Sequence, residues 1–361
     1  MASKLMLRLA ELKLPLDHTE EELTQAVLRR LRVTPDQLQE QRLVKRSIDA
    51  RRRDRIQLTY SVDVQVKGEA ALLRRIGNKG RVRPAPDTRY RPVGHAPVGF
   101  PLDSVERPVV VGAGPCGYFA ALLLAQMGFC PLLLERGQAV KQRTADTFGF
   151  WRGTIPFNPE SNAQFGEGGA GTFSDGKLYS QVSDPEHYGR KVLEELVASG
   201  ASEEILTLHR PHIGTFKLAT VVRGLRARIE ALGGEVRFNS HVTRLQLSDI
   251  SAEKPFQLDG LVLADGTEIP CRHLVLAPGH SARDCFEMLE QIGVQLQRKP
   301  FSVGVRIEHP QHLIDAARWG EAAGHPRLGA AAYKLVHHAE NGRCVYSFCM
   351  CPGGFVLGAT S

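Results

Sequence analysis

The sequence predicts an α/β protein: a three-layer Rossmann-like domain, a small basic α+β domain ahead of it, and further α+β elements around it. Three observations predict this. Residues 107–137 pass through a buried strand, a glycine turn, a helix and a second buried strand. Residues 57–66 alternate, with Leu58, Tyr60, Val62, Val64 and Val66 on one face. The length of 361 residues, with 42% hydrophobic and 24% charged, fits two or three globular domains.

Residues 5–16 alternate loosely and read as a strand. Thr19 with Glu22 then forms a capping box, and Leu23, Val27 and Leu31 follow at a four-residue period, as a helix requires. Residues 42–48 suit a hairpin partner for 57–66, which closes a domain over 1–76. Its tip carries Arg51, Arg52 and Arg53 beside Asp49 and Asp54, a cluster that serves either to grip phosphates or to keep the tip soluble. The stretch 77–105, rich in Pro, Gly and Arg, predicts a linker or a strap.

Residues 1–95 hold 21 Lys and Arg against 12 Asp and Glu, whereas the rest of the chain is slightly acidic. Such a basic region can attract nucleic acid through residues 42–91, although a solvated face or a docking surface for an acidic partner is the commoner cause. The seven cysteines have no short-spaced framework, which points to a reducing, cytoplasmic setting. The opening residues read as neither a secretory signal nor a transit peptide. The apolar run 118–134 is interrupted by Gln126, Gly128 and Pro131, so no membrane insertion is expected.

Gly112, Gly114 and Gly117 form GxGxxG. The first permits the tight turn, the second lets backbone approach a pyrophosphate, and the third lets helix pack on strand; the helix N-terminus then meets the phosphate charge. Gly128 suits a C-cap, and Pro131 sits where a strand tolerates a missing N–H. Glu135 closes the second strand 18 residues after Gly117, the place of a carboxylate that accepts from ribose hydroxyls and repels a 2′-phosphate.

Two later segments separate FAD from NAD. Residues 166–176 hold five glycines in eleven positions, suited to backbone lying against a large flat ligand. Residues 274–281 read as a buried strand ending in small residues, after a helix at 217–232, a strand at 235–245 and a hairpin with turns at Asp259-Gly260 and Asp265-Gly266. This order of motifs resembles the FAD-dependent oxidoreductases of the glutathione-reductase-like class. More narrowly, the basic N-terminal domain, the glycine-rich run 165–179, residues 300–308 and 346–354 (YSFCMCPGG) resemble a family of FAD-dependent dehydrogenases.

The resemblance implies FAD in the crevice at Gly112, Gly114 and Gly117, with Glu135 on the ribose and Arg136 among the binding residues. It further implies that the loop carrying Gly168, Gly169, Gly171, Thr172 and Lys177 follows the flavin side, that Val242 lies near the adenine, and that Ala277, Gly279 and Ser281 close over the cofactor. The domains implied are 106–181 with 216–286 for FAD and 182–215 with 287–361 for substrate. Flavoproteins of this class finish with a strand and a Gly-Asp motif that this sequence lacks, so a fragment with weakened flavin retention is expected.

The CxxC of disulfide reductases is missing from these residues. Cys349 and Cys351 form only CxC and are expected to be buried structural cysteines, and Cys116 to pack. Without HExxH no metal site is expected. His280, at the predicted crevice mouth, reads equally as a cap for a helix starting at Ser281. The reading is an FAD-dependent oxidoreductase acting on a small molecule with a separate electron donor or acceptor and no named catalytic residue. The alternatives are an NAD-dependent dehydrogenase and a basic nucleic-acid-binding protein.

Overall fold

The computed structural model describes residues 6–76, 81–100, 104–173, 176–178, 182–248, 256–356 and 358. Gly77, Pro101, Ser174, Asp175, Tyr179 and Ser361, which the sequence reading used, lie outside them.

The alternating N-terminal segments form one antiparallel sheet. β1 (Leu7–Pro15), β2 (Leu38–Asp49), β3 (Gln57–Val66) and β4 (Val82–Pro84) stand in the order β2-β3-β1-β4. α1 (Glu20–Leu31) starts at the predicted capping box, in which Glu22 N–H donates to Thr19 Oγ1 and Thr19 N–H to Glu22 Oε2. With α2 (Glu69–Ile76) it covers one sheet face, where Val27, Leu31 and Leu72 meet Leu9, Leu58, Val62 and Val64. On the other face Asp63, fully buried, accepts from Arg8 at 2.7 and 2.9 Å and from Arg42 at 3.3 Å. β4 departs from the expected linker: Val82 is buried, and pairing with β1 completes the sheet.

The next elements are β5 (Val109–Val111), α3 (Pro115–Gln126), β6 (Leu132–Leu134), α4 (Val140–Trp151), α5 (Tyr188–Ala198), α6 (Thr215–Ala231) and β7 (Glu235–Arg237). They are followed by β8 (Val242–Ser248), β9 (Gln257–Leu263), β10 (Glu268–Pro270), β11 (Leu274–Leu276) and α7 (Arg283–Gln291). The parallel sheet runs β11-β5-β6-β7, and β8, β9 and β10 form an antiparallel sheet. Because β5 and β6 are apolar throughout, both of their faces are buried. Val110 and Leu133 pack on α3, α6 and α5, while Val109, Val111, Leu132 and Leu134 pack on the antiparallel sheet and α7. Helices, parallel sheet and antiparallel sheet thus make three layers.

Four details correct the sequence reading. Residues 235–245 are two strands in different sheets, separated by a turn at Asn239, whose φ is +53°. Gly260 lies inside β9, so only Asp265-Gly266 is a turn. β11 is half-buried because it is the sheet's edge strand. The helix expected from Ser281 begins at Arg283. In addition, α5 joins the helical layer instead of standing apart with the 182–215 segment.

α8 (Gln311–Trp319) and the hairpin β12 (Val336–His338) with β13 (Cys344–Tyr346) follow. Trp319, Leu328 and Ala331 pack on Ala50 and Ile56 of the N-terminal domain, and Arg327 donates to the carbonyls of Leu16 and His18 at 2.8 Å. The edge of β2 is bridged too: Arg46 N–H donates to Thr207 O at 2.7 Å and His209 N–H to Arg46 O at 3.0 Å. Phe301, Val303 and Val305, by contrast, are at least 85% exposed. Among the described residues no helix is long and apolar enough to cross a membrane.

Candidate cofactor site

The turn from β5 into α3 is set by sterics. At Gly112, φ is +100° and a Cβ would stand 2.3 Å from Ala277 O; at Gly117 a Cβ would stand 1.7 Å from Gly112 O. Only hydrogen fits at either place, and the helix therefore begins directly on the strand end. Gly114 is the N-cap and offers no side-chain cap, and Pro115 follows at the first helical position. The helix end is thus left with its N–H groups and partial positive charge for an anion.

This end opens into a crevice of about 300 Å³. Gly112, Gly114 and Cys116 form one wall; Glu135 and Arg136 stand at the end of β6; Gly169 and Gly171 bring in the second glycine segment. Val242 closes one side, and Ala277, Gly279 and Ser281 another. Ten of the predicted site residues therefore meet in one place. Gly117, Gly168, Thr172 and Lys177 do not line it: Gly117 is buried beneath the turn, Gly168 N–H donates to Ala113 O at 2.8 Å, Thr172 bonds to Arg143, and Lys177 Nζ donates to Cys351 Sγ at 3.0 Å.

Glu135 is 5% exposed and accepts three backbone N–H groups, from Ala113 at 2.7 Å and from Gly137 and Gly166 at 2.9 Å. One carboxylate thereby joins the two glycine turns. Oε2 takes one of these bonds and retains a lone pair. Arg136 is held flat: Glu160 receives Nε and Nη2 at 2.8 and 2.9 Å, Asp284 receives Nη1 at 3.0 Å, and the guanidinium lies 4.3 Å from the Phe165 ring centroid. Burial pulls its pKa down, but the bonds to Glu160 and Asp284 outweigh this and hold it above the usual range. Asp284 is raised by burial and lowered further by Arg136, and so falls below the ordinary carboxylate value. His241 Nε2 also meets Asp284, at 2.8 Å.

The cysteines differ from expectation. Cys116 is exposed into the crevice instead of packing, because its helical position faces away from the sheet. Cys349 is exposed and Cys351 half-buried, since no core forms around that segment. Cys285 does line the crevice from a buried position, where burial raises its pKa. Among the described residues no cluster of three or more His, Cys, Asp and Glu is placed to hold a metal. At the basic tip, Arg51 pairs with Asp49 and Arg52 with Asp54, which commits two of its charges within the hairpin.

Two buried residues escaped the sequence reading. Glu167 is fully buried, accepts from Tyr118 Oη at 2.7 Å and Val140 N–H at 2.6 Å, and pairs with Arg226 at 3.3 Å. Burial, then the Glu167 charge, pushes the Tyr118 hydroxyl well above its usual pKa. Arg143, also fully buried, donates Nε to Asn162 O at 2.8 Å and Nη1 to Glu167 O at 2.7 Å, and thereby props the second glycine turn from behind. Nothing local marks either residue, because their partners lie some twenty or more positions away.

The arrangement suits a dinucleotide: a cradle that a single Cβ would fill, an uncapped helix end, and a carboxylate closing the second strand. Residues 300–361 match the family described as FAD-dependent protein, C-terminal domain-like, and residues 6–65 match a domain of unknown function, DUF8436. The chain is 41% identical over 365 residues to an uncharacterized protein of Clostridium beijerinckii; the match covers 98% of this chain but spans 64% of that relative's length. Among solved structures, the THI4 protein of Thermovibrio ammonificans is similar at 17% identity, over 53% of this chain and 64% of the other, with a TM-score of 0.36. L-amino acid deaminase from Proteus myxofaciens is similar at 15% identity, over 58% and 51%, with a TM-score of 0.31. The family match in residues 300–361 supports FAD as the cofactor.

Proposed function

We propose that this chain is the cofactor-binding part of an FAD-dependent oxidoreductase, with the FAD nucleotide half held at the α3 N-terminus and the flavin half extending past the second glycine turn. The observation that carries the reading is the convergence of Gly112, Gly114, Glu135, Gly169 and Ala277 on one crevice. Gly114 and the first turn of α3 receive the pyrophosphate. Glu135 turns its remaining lone pair to the ribose, Arg136 and Val242 border the adenine, and Gly169 and Gly171 run along the flavin side. Ala277, Gly279 and Ser281 close the crevice. Bound FAD supplies hydride or electron transfer, while the chain binds, orients and shields it.

The substrate in this reading is a small molecule, and the electron donor or acceptor comes from outside the crevice. The visible spectrum of the purified chain, with the released ligand identified after denaturation, tests the proposal. One FAD per chain, retained or taken up on addition, is the expected result. A chain that takes up no added FAD, or releases NAD instead, overturns it.

A further inference from the structure

α4 carries a line of polar side chains with atoms that the support of the second glycine turn does not use. Arg143, Thr147 and Trp151 stand at four-residue steps and therefore share one helix face. Arg143 is fully buried and Thr147 is 1% exposed. After the bonds of Nε and Nη1, Arg143 Nη2 has no partner, and neither do Thr147 Oγ1, Trp151 Nε1 and Gln164 Oε1, although all four atoms are buried. Buried polar groups are normally paired, because an unpaired one has lost its water and gained nothing. Three of these atoms can donate and share one face of α4, and the fourth, Gln164 Oε1, is an acceptor.

An aromatic ring covers this set. The Arg143 guanidinium lies 4.9 Å from the Phe173 centroid, and that ring makes edge contacts with Trp151 at 5.8 Å and Phe148 at 6.1 Å. Phe173 ends the short helical turn 170–173, whose Ala170 and Gly171 line the cofactor crevice, and Gln164 lines the crevice as well. The polar set and the crevice are thus neighbours, separated by one turn of small residues.

We propose that this face of α4 is a binding site for a planar organic carboxylate, which takes the place of the Phe173 ring. The proposal rests on the crevice being the FAD site, since it is proximity to the flavin that makes the carboxylate a substrate. Phe173 shows that a six-membered ring fits against Arg143, Phe148 and Trp151. A carboxylate on such a ring gives Arg143 Nη2 a charged acceptor and offers its second oxygen to Thr147, one turn along the same helix face. Among the described residues no carboxylate stands at ion-pair distance from Arg143. Burial lowers its pKa to about 10 while the nearby Glu135 and Glu167 charges pull it upward, which leaves it charged at neutral pH. At the unpartnered Nη2 a carboxylate oxygen is a stronger acceptor than the neutral carbonyl of a ligand of the same shape, although it meets the opposing charges of Glu135 and Glu167.

Calorimetric titration of the FAD-saturated protein with benzoate tests this, with benzamide as the neutral counterpart. Benzoate binds and benzamide does not. R143M weakens benzoate about tenfold or more, the loss of one charged hydrogen bond, and R143K restores part of it. F173A binds benzoate more tightly than the wild type, because the ring no longer competes. T147V weakens it a few-fold. Should R143M fail to fold, T147V and F173A carry the test with Arg143 in place. Equal affinity in wild type and F173A, equal binding of benzoate and benzamide, or no binding in either wild type or F173A overturns the proposal. Benzoate binding by a chain that takes up no FAD retains the site and overturns the crevice reading instead.

Discussion

Two glycine turns border the crevice, and they are built on different principles. In the first, Gly112 and Gly117 face backbone: an added Cβ meets Ala277 O at 2.3 Å or Gly112 O at 1.7 Å. In the second, Gly169 meets the Gly114 backbone at 2.9 Å, but Gly166 and Gly168 face side chains, Arg143 Cδ at 2.4 Å and Thr172 Oγ1 at 2.2 Å, and Gly171 faces open space. Backbone cannot step aside, whereas a side chain can change rotamer. The first turn is therefore a fixed edge, while the second is fixed where Gly169 meets Gly114 and adjustable at Gly168 and Gly171, where only the Thr172 and Val222 side chains or open space stand in the way.

The largest effect is expected from G117A. The Cβ must displace backbone, so stability in urea falls by about 3 kcal/mol or more and FAD retention is lost. A G117A chain that keeps its FAD would break the distinction. Next comes E135Q, which keeps the shape but removes the charge from bonds that tie both turns together. We expect a loss of about 2 kcal/mol. An NH₂ group placed against Gly137 and Gly166 N–H must also turn away, and so both edges loosen, readable as faster amide exchange at Ala113 and Gly166.

A pH dependence probes the layer behind the first turn. Burial raises the Cys271 thiol from 9.0 to about 11. A raised folded-state pKa means that its contribution to stability is complete below pH 9 and lost as the pH rises through about 11. The wild-type melting temperature should therefore fall more between those values than that of C271A; parallel curves would remove Cys271 as the cause. In the second turn, G168A should cost about 1 kcal/mol, part of it from a φ of +87°. T172A in the same chain should recover part of that loss, a coupling that a double-mutant cycle measures. The smallest effect is G171A, within about 0.5 kcal/mol, because nothing stands within 4 Å of the added carbon.

The same contrast explains what the sequence disclosed. The first turn was legible because its parts lie within one βαβ run, and Gly112, Gly114, Gly117 and Glu135 each leave a local mark. The N-terminal sheet was legible through the alternation of β3 and the Thr19–Glu22 box. The second turn was legible only as a density of glycine, since its supports, Arg143 and Glu167, act through contacts far apart in the chain. Motif spacing does not say which face of a first helical turn meets the sheet, so the exposure of Cys116 is not legible in the sequence. β4 was hidden among Pro and Arg, because three residues are too few to show a period. The separation of β7 from β8 depended on one left-handed residue, Asn239, inside an otherwise strand-like run.

The bridge from β2 to residues 207–209, together with the seat of Trp319 and Arg327 on the N-terminal domain, bears on how this chain can be taken apart. A builder of chimaeras would cut in the Pro-rich stretch after residue 76 and transplant the front piece as a cassette. That cut would strip β1 of its β4 neighbour, leave the β2 edge without its bridging segment, and uncover Ala50 and Ile56. The two pieces are stitched at points remote from the cut, so exchangeable modules would have to be chosen by these seams and not by the order of the residues.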